Sequence, residues 1–243
     1  PERFGHYTQP PEAASELVWV HAVSLGESRA AGILIQALRE AVPGVRILLT
    51  HGTATGRAEG QRHLRTGDVQ VWQPWDTPAA VQCFLRHFRP RLGLLMETEV
   101  WPNLVLKSRA AGVPLALVNA RMSDKSLRSA LRWASLMRPT YGALAAVWAQ
   151  TEDDAERLRA LSATVQAVTG NLKFDAQPDA AQCAQAQAWR SGSRAVPRAG
   201  SASSVTAMPV PAAAAAPPHP NIKLSKHNSS CSNALINSRI DLY

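Results

Sequence analysis

The fold is decided by residues 17–27, which read Leu-Val-Trp-Val-His-Ala-Val-Ser-Leu-Gly-Glu. The first seven positions are almost all apolar, as expected of a strand that is covered on both faces. A helical spacing of apolar residues follows over 28–41 and stops before Pro43 and Gly44. The stretch therefore predicts a strand, a short loop and a helix in immediate succession.

Similar apolar runs recur along the first 175 residues at intervals of roughly 20–30 positions, the spacing of successive β-α-β units. Most of them are followed by a plausible helix. The runs occupy residues 17–23, 45–50, 69–72, 92–96, 115–118, 145–148 and 165–168. We predict an α/β fold with a doubly wound parallel sheet.

The composition divides the chain in two. Residues 1–175 hold six of the seven tryptophans, whereas the remainder is rich in Ala, Ser, Pro and Arg and shows scarcely any periodicity. A segment of this composition buries too little apolar surface to offset the entropy of ordering the chain. We predict a folded domain over residues 1–178 and a disordered tail over 179–243.

The charge balance does not favour nucleic acid as a partner. The first 175 residues contain 20 Lys and Arg against 16 Asp and Glu, so half of the net charge of +8 lies in the tail. No basic run or aromatic RNA-binding signature accompanies it. Anionic lipid or a phosphorylated substrate remains compatible with this balance.

Several common kinds of site are excluded by spacing. Cys83, Cys183 and Cys231 form no Cys-x-x-Cys pair, which argues against a zinc site or a disulfide framework. No Gly-x-Gly-x-x-Gly follows the first strand, and the polar loop at 50–57 lacks the lysine of a P-loop. We interpret the acids at 152–154 as complementing the dipole of a helix, with a metal cluster as the alternative.

Two carboxylates follow predicted strands directly. Glu27 lies in the first turn of the helix after the first strand, and Glu97 closes the fourth apolar run. In open α/β sheets ligands bind at such carboxyl ends, so both side chains are expected to face one crevice. The two motifs have simpler alternatives. Glu27 complements the helix dipole, which would depress its pKa. In the motif that contains Glu97, Glu99 caps the helix near Pro102 and Trp101 belongs to the core.

Two further strand-end loops carry polar groups. Lys173, after the last apolar run, is able to bring a positive charge near a departing phosphate or carboxylate, although a solvated loop lysine is the alternative. The loop containing Thr53, Thr55 and Arg57 offers hydroxyls and a guanidinium to phosphates.

Taken together, six segments in order resemble the 3-deoxy-D-manno-octulosonic acid (Kdo) transferases of lipid A biosynthesis. The resemblance covers about the first 175 residues. Its motifs are residues 2–5, 19–27, 53–56, 97–103, 119–123 and 170–175.

The resemblance implies the N-terminal half of a GT-B glycosyltransferase, a Rossmann-like domain that binds the lipid A precursor, lipid IVA, while a second domain binds the donor CMP-Kdo. It implies an inverting reaction with Glu27 as catalytic base, Glu97 and Lys173 as stabilisers of the transition state, and no metal or other cofactor. The resemblance also assigns acceptor binding, or a structural role at the site, to a set of polar residues and glycines. They are Ser24, Gly26, Thr53, Thr55, Gly56, Arg57, Asn119, Arg121 and Ser123. It also implies a peripheral location on the cytoplasmic face of the bacterial inner membrane.

The family also leads us to expect an apolar membrane segment before residue 1 and a donor domain after the motif at 170–175. The sequence from about Gln182 onward has the composition that a GC-rich gene yields when it is translated in a shifted reading frame. We therefore hypothesise a frameshifted or truncated product that is inactive alone. The alternative is a non-catalytic module that binds phosphorylated lipid through Arg57, Arg62 and Arg65.

Overall fold

The computed structural model describes residues 1–12 and 17–175. The predicted domain boundary at 178 and the predicted tail over 179–243, with Cys183, Cys231 and the frameshift hypothesis, lie outside the described residues.

The seven predicted strands are confirmed within the described residues, with ends that shift by at most two positions. Each pair of neighbouring strands runs parallel. The strands are β1 (Leu17–His21), β2 (Arg46–His51), β3 (Val69–Trp72), β4 (Leu92–Met96), β5 (Leu115–Ala120), β6 (Ala146–Ala149) and β7 (Val165–Val168).

Helices connect the strands. They are α1 (Leu25–Ala41), α2 (Ala54–Gln61), α3 (Pro78–Phe88), α4 (Pro102–Ala110), α5 (Asp124–Leu131), α6 (Ala134–Gly142) and α7 (Glu152–Ala160). Short 3-10 helices, Glu2–Phe4 and Leu172–Asp175, lie near the two ends of the described chain.

The strand order is β3-β2-β1-β4-β5-β6-β7, so the chain builds outward from β1 and then returns to its other side at β4. This order confirms the doubly wound, Rossmann-like prediction. A crevice opens at the carboxyl ends of β1 and β4, because the helices that follow these two strands leave in opposite directions.

The core has two layers, one on each face of the sheet. Alternate residues of β1 belong to different layers: Val18 and Val20 pack with α1, whereas Leu17 and Trp19 pack with α3 and α4. All five residues of β1 are buried, which explains why its sequence is a continuous apolar run rather than an alternating pattern.

The helix ends mostly follow the predicted signals. Thr77 caps α3 ahead of Pro78, and Thr151 caps α7, whose first turn holds Glu152, Asp153 and Asp154. The dipole interpretation of these acids is thereby confirmed.

The alternative interpretation of Glu99, as the cap of α4, is wrong. Glu99 does not bind the first turn of this helix; instead, the carboxylate of Asp76 accepts hydrogen bonds from the backbone N–H groups of Asn103 (3.2 Å) and Leu104 (2.7 Å). A distant acid performs the capping, which leaves Glu99 available to the crevice.

None of the helices in the described part of the chain combines the length and the hydrophobicity needed to cross a bilayer.

Candidate active site

Glu27 is held by the start of α1. The hydroxyl of Ser24, the N-cap, accepts from the Glu27 N–H (3.3 Å) and donates to its Oε1 (2.9 Å), while the N–H of Val23 donates to Oε2 (2.9 Å). This reciprocal arrangement resembles a capping box and fixes the carboxylate in one orientation. The alternative, a helix-start role for Glu27, is therefore present in the structure, and it positions the same group for chemistry.

The expected depression of the Glu27 pKa is wrong in direction. Burial raises this pKa, the hydrogen bonds from Val23 and Ser24 oppose the rise, and the negative charges of Glu99 and Glu97 add to it. Desolvation outweighs the helix start because the side chain is only 8% exposed. A raised pKa makes the carboxylate a stronger base, which suits proton abstraction.

Glu97 sits at a strained point of the backbone. Its φ of 53° lies in the left-handed region, which is uncommon for a residue with a side chain and costs on the order of 1 kcal/mol or more. The strain is maintained because its N–H donates to Val118 O (3.0 Å) and its carbonyl accepts from Arg121 N–H (3.1 Å). The turn directs a nearly buried carboxylate to the end of β4.

Lys173 reaches this carboxylate from the far end of the domain. Its Nζ lies 2.9 Å from Oε1 of Glu97. The same ammonium also lies beside the first turn of α1. A Cβ placed on Gly26 would be 3.9 Å from the Lys173 Nζ. The structure thus brings Glu27, Glu97 and Lys173 together, as the sequence predicts.

Asn119 connects the parts of this cluster. It is fully buried at the end of β5, donates to Oε1 of Glu97 (3.4 Å) and accepts from the N–H of Leu172 (3.1 Å). Arg121 is more exposed and lies 3.8 Å from the other oxygen of Glu97. Asn119 is therefore a positioning residue for the Lys173 segment as well as for Glu97.

Ser123 lies further out. It is exposed and caps α5, accepting from the N–H of Ser126 at 3.1 Å. Nothing in its contacts distinguishes it from an ordinary helix cap.

The loop after β2 packs against the loop after β1. The Thr53 hydroxyl donates to Val23 O (2.9 Å) and accepts from Gly56 N–H (3.1 Å), capping α2, with the exposed Thr55 hydroxyl 3.5 Å away. A Cβ on Gly56 would lie 3.0 Å from backbone atoms of Val23 and Ser24. Gly56 therefore permits the close approach of the two loops.

Arg57 is already engaged within the fold. Its guanidinium lies 3.5 Å from the Glu2 carboxylate and 5.1 Å from the centre of the Trp72 ring. Arg62 is likewise paired with Glu59 at 3.2 Å. Arg62 is 75% exposed and Arg57 pairs with Glu2 only at 3.5 Å, so the binding of phosphate by either arginine stays a prediction.

Glu99 and Trp101 are members of the site that the sequence interpretation missed. Trp101 is 45% exposed, not core, and its indole Nε1 donates to Oε2 of Glu99 at 2.8 Å. Burial raises the pKa of Glu99, as does the charge of Glu97. The signal was present in the spacing, because Glu97 and Glu99 follow one strand end two positions apart.

The described side chains do not form a recognisable metal site. In residues 1–12 and 17–175, no group of three or more His, Cys, Asp or Glu side chains is arranged to hold a metal ion.

Comparison with known proteins identifies relatives for most of this domain. Residues 1–176 match a family described as 3-deoxy-D-manno-octulosonic-acid transferase (kdotransferase). The 3-deoxy-D-manno-octulosonic acid transferase of Bordetella pertussis is 49% identical over 195 residues, which are 78% of this chain and 45% of the relative. A probable mitochondrial transferase of the same name from Arabidopsis thaliana is 41% identical over 137 residues, 56% of this chain and 29% of that protein.

This chain therefore spans less than half the length of these two curated relatives. Among solved structures, a UDP-GlcNAc 2-epimerase from Neisseria meningitidis bound to UDP-GlcNAc aligns with a TM-score of 0.46 and 19% identity, covering 64% of this chain and 47% of that one.

Proposed function

This chain belongs to the Kdo transferase family of glycosyltransferases, and we propose that it forms the acceptor-binding part of an enzyme that transfers Kdo from CMP-Kdo to the lipid A precursor, lipid IVA. The observation that carries the proposal is the cluster of Glu27, Glu97 and Lys173 at the crevice between β1 and β4. Because the chain covers under half of its relatives, the donor-binding part is expected to come from outside the described residues.

In the proposed reaction, Glu27 removes the proton from an acceptor hydroxyl while the hydroxyl oxygen attacks the anomeric carbon of Kdo. The bond between that carbon and the phosphate oxygen breaks, and CMP leaves with the electron pair, so the configuration at the carbon inverts. Burial of Glu27 supports this role, because its raised pKa brings its basicity closer to what proton abstraction requires.

Glu97 and Lys173 are proposed to stabilise charge that develops in the transition state. The ammonium of Lys173 is suited to the departing phosphate or the Kdo carboxylate, and the Glu97 carboxylate to the electron-poor sugar carbon. Their 2.9 Å contact holds both groups in place before the reactants arrive. In this scheme the charges come from the protein, and we expect no metal ion or other cofactor to be needed.

A lipid acceptor leads us to propose contact with an anionic membrane surface, through a face we call the α5–α6 face. Exposed apolar side chains project from it: Leu131, Trp133 and Leu136 are 37%, 67% and 44% exposed. Four exposed basic residues surround them, Lys125, Arg128, Arg132 and Arg138, against a single acid in residues 124–142.

That acid, Asp124, is paired with Arg157 at 2.7 Å, which leaves the α5–α6 face basic. Tryptophan and leucine among basic side chains are typical of segments that lie in the interface of anionic bilayers. We accordingly expect a peripheral position on the cytoplasmic face of the inner membrane.

The proposal is tested by mixing the chain with tetra-acylated lipid A precursor and CMP-Kdo, alone and as a fusion with the portion of the Bordetella pertussis relative that follows the match. We expect lipid binding by the chain and Kdo transfer only by the fusion. Lipid binding without transfer by either protein would instead support the non-catalytic lipid-binding module.

A further inference from the structure

A small cavity of about 80 Å³ lies next to the candidate active site and has no role in the reaction described above. Its walls include His21 at the end of β1, Gln73 just after β3, and the side chains of Trp75 and Trp101. It therefore opens at the carboxyl edge of the sheet, the edge that carries Glu27 and Glu97.

Two of the residues that line this cavity each carry a buried polar atom that the described part of the fold does not use. Nε2 of His21 and Oε1 of Gln73 are both buried and have no hydrogen-bond partner among residues 1–12 and 17–175. His21 itself is only 1% exposed. Buried polar atoms are nearly always paired, so an unpaired nitrogen and an unpaired oxygen on two residues that line one small cavity point to a ligand or water that completes them.

The hydrogen-bond network assigns the tautomer of His21. The hydroxyl of Thr50 accepts from the indole N–H of Trp19 at 2.8 Å and lies 2.7 Å from Nδ1 of His21. Within the described residues the hydroxyl proton has no other acceptor, so it is donated to Nδ1 and the imidazole carries its own proton on Nε2. The unused atom of His21 is therefore a donor, and the unused oxygen of Gln73 is an acceptor.

The imidazole stays neutral over the physiological pH range. Burial, together with a smaller electrostatic contribution from His51, lowers the pKa of His21 to about 3. A neutral donor does not select for an anion, which distinguishes this cavity from a phosphate site.

The aromatic walls match a sugar. Trp75 and Trp101 are each 45% exposed, so large apolar ring surface stands beside the donor and the acceptor. Sites that combine aromatic surface with a few fixed polar groups are suited to carbohydrate, whose C–H faces pack on rings while its hydroxyls form hydrogen bonds. Arg3 already lies 4.9 Å from the centre of the Trp75 ring, so the face of Trp101 is the more available of the two.

Trp101 also connects the cavity with the reacting groups. Its indole N–H donates to Glu99, and the charge of Glu99 contributes to the raised pKa of Glu27. Trp101 therefore lines the cavity and also contacts an acid whose charge acts on the proposed base.

We propose that this cavity is a subsite for one hydroxyl of the acceptor saccharide, which accepts from Nε2–H of His21, donates to Oε1 of Gln73 and rests its ring against Trp101. A hydroxyl is both donor and acceptor, so one such group has the chemistry that the two unused atoms require. The inference rests on the proposed function, because it takes the acceptor to be a sugar. The subsite would orient the saccharide so that a different hydroxyl meets Glu27.

The test measures binding of two probes to the full 243-residue chain by calorimetry: the tetra-acylated lipid A precursor and the phosphorylated glucosamine disaccharide prepared from it by removal of all acyl chains. Gln73→Met keeps the length of the side chain and removes the acceptor, and we expect disaccharide binding to weaken about tenfold. Gln82→Met, an exposed site on α3, is the matched control and is expected to bind as the unmodified chain does.

A second readout is the Nε2 proton resonance of His21. We expect this resonance to move when the disaccharide is added to the unmodified chain, and to move less in Gln73→Met. Thermal unfolding of each variant shows that the fold is retained.

The outcomes separate the two proposals. Unchanged disaccharide binding in Gln73→Met would overturn the subsite and leave the proposed function standing. Binding of the lipid precursor without the disaccharide would do the same, with water as the occupant of the cavity. Failure to bind either probe would contradict both proposals.

Discussion

Nζ of Lys173 lies 2.9 Å from Oε1 of Glu97, although 76 positions separate the two residues in the sequence. The contact joins the end of the central strand β4 to the segment that follows the edge strand β7. It depends on Asn119, which binds both Glu97 and the backbone of Leu172. Leu172 is fully buried against α1 and anchors the lysine's segment to the core.

This contact predicts that Lys173→Met lowers Kdo transfer by the fusion protein about 10²–10³-fold, because a charge prearranged for the transition state is removed. The fold should be retained, because the lysine side chain is 44% exposed and Leu172 still anchors the segment. Rates and thermal unfolding of the variant provide the check. Lys107→Met, at the C-terminal end of α4, is the matched control, and an equal loss of rate there would contradict the assignment.

Two glycines of the site are predicted to differ in their tolerance of a methyl group. Gly56→Ala places a Cβ 2.9 Å from Thr53 Oγ1 and 3.0 Å from the backbone of Ser24, so we expect a loss of about 1–3 kcal/mol in the free energy of unfolding. Among the described residues, the Cβ of Gly26→Ala meets only Lys173 Nζ, at 3.9 Å, and alanine is the better helix former, so stability should stay equal or rise by up to about 1 kcal/mol. Urea denaturation of both variants checks the pair, and an equal cost would refute the packing account.

Two buried histidines should fail to titrate near neutral pH. Burial lowers the pKa of His21 to about 3 and that of His51 to about 4, each from 6.5. The ring proton resonances of both should stay at their neutral positions between pH 8 and pH 5. Because the unfolded chain takes up these protons first, the folded state should lose stability as the pH falls below 6.5. Titration of His21 near 6.5 would show that it is not buried in this way.

The α5–α6 face predicts binding to anionic vesicles. Replacing both Trp133 and Leu136 by Ser should weaken binding to vesicles containing phosphatidylglycerol by about tenfold or more, because buried apolar area drives insertion into the interface. Added salt should weaken binding of the unmodified chain, since the surrounding charges are exposed. Vesicle co-sedimentation measures both effects. Phe4→Ser, at a residue that is 66% exposed elsewhere, is the control, and a similar loss there would mean that exposed apolar surface acts without regard to position.

The strands were predictable because a strand that is buried on both faces consists of a continuous apolar run as long as the strand itself. Residues 92–96 show this best: all five are buried, and the predicted and observed bounds agree. The general position of the site was predictable as well, since Glu27 and Glu97 follow strands directly and parallel strands end at one edge.

The features that could not be predicted from the sequence depend on contacts between distant segments. Asp76 caps α4 from 27 and 28 positions away, which no local signal reveals and which frees Glu99 from that task. The direction of the Glu27 pKa was wrong for a similar reason: the helix start is visible in the sequence, whereas the burial that outweighs it arises only when the strand-end loops pack together.

Glu27 is proposed to act as the base, and Kdo transfer to lipid A precursor by the fusion protein carrying Glu27→Gln tests this role. The single oxygen of glutamine accepts from the Val23 N–H, and its amide N–H donates to the Ser24 hydroxyl, which reverses the contact made by Oε1. Glutamine accepts no proton, so we expect transfer to fall about 10²–10⁴-fold while lipid binding and thermal stability stay near those of the unmodified protein. Glu12→Gln, at a carboxylate paired with Arg46 outside the site, is the control and should retain the full rate. Transfer by Glu27→Gln at the unmodified rate would contradict the account.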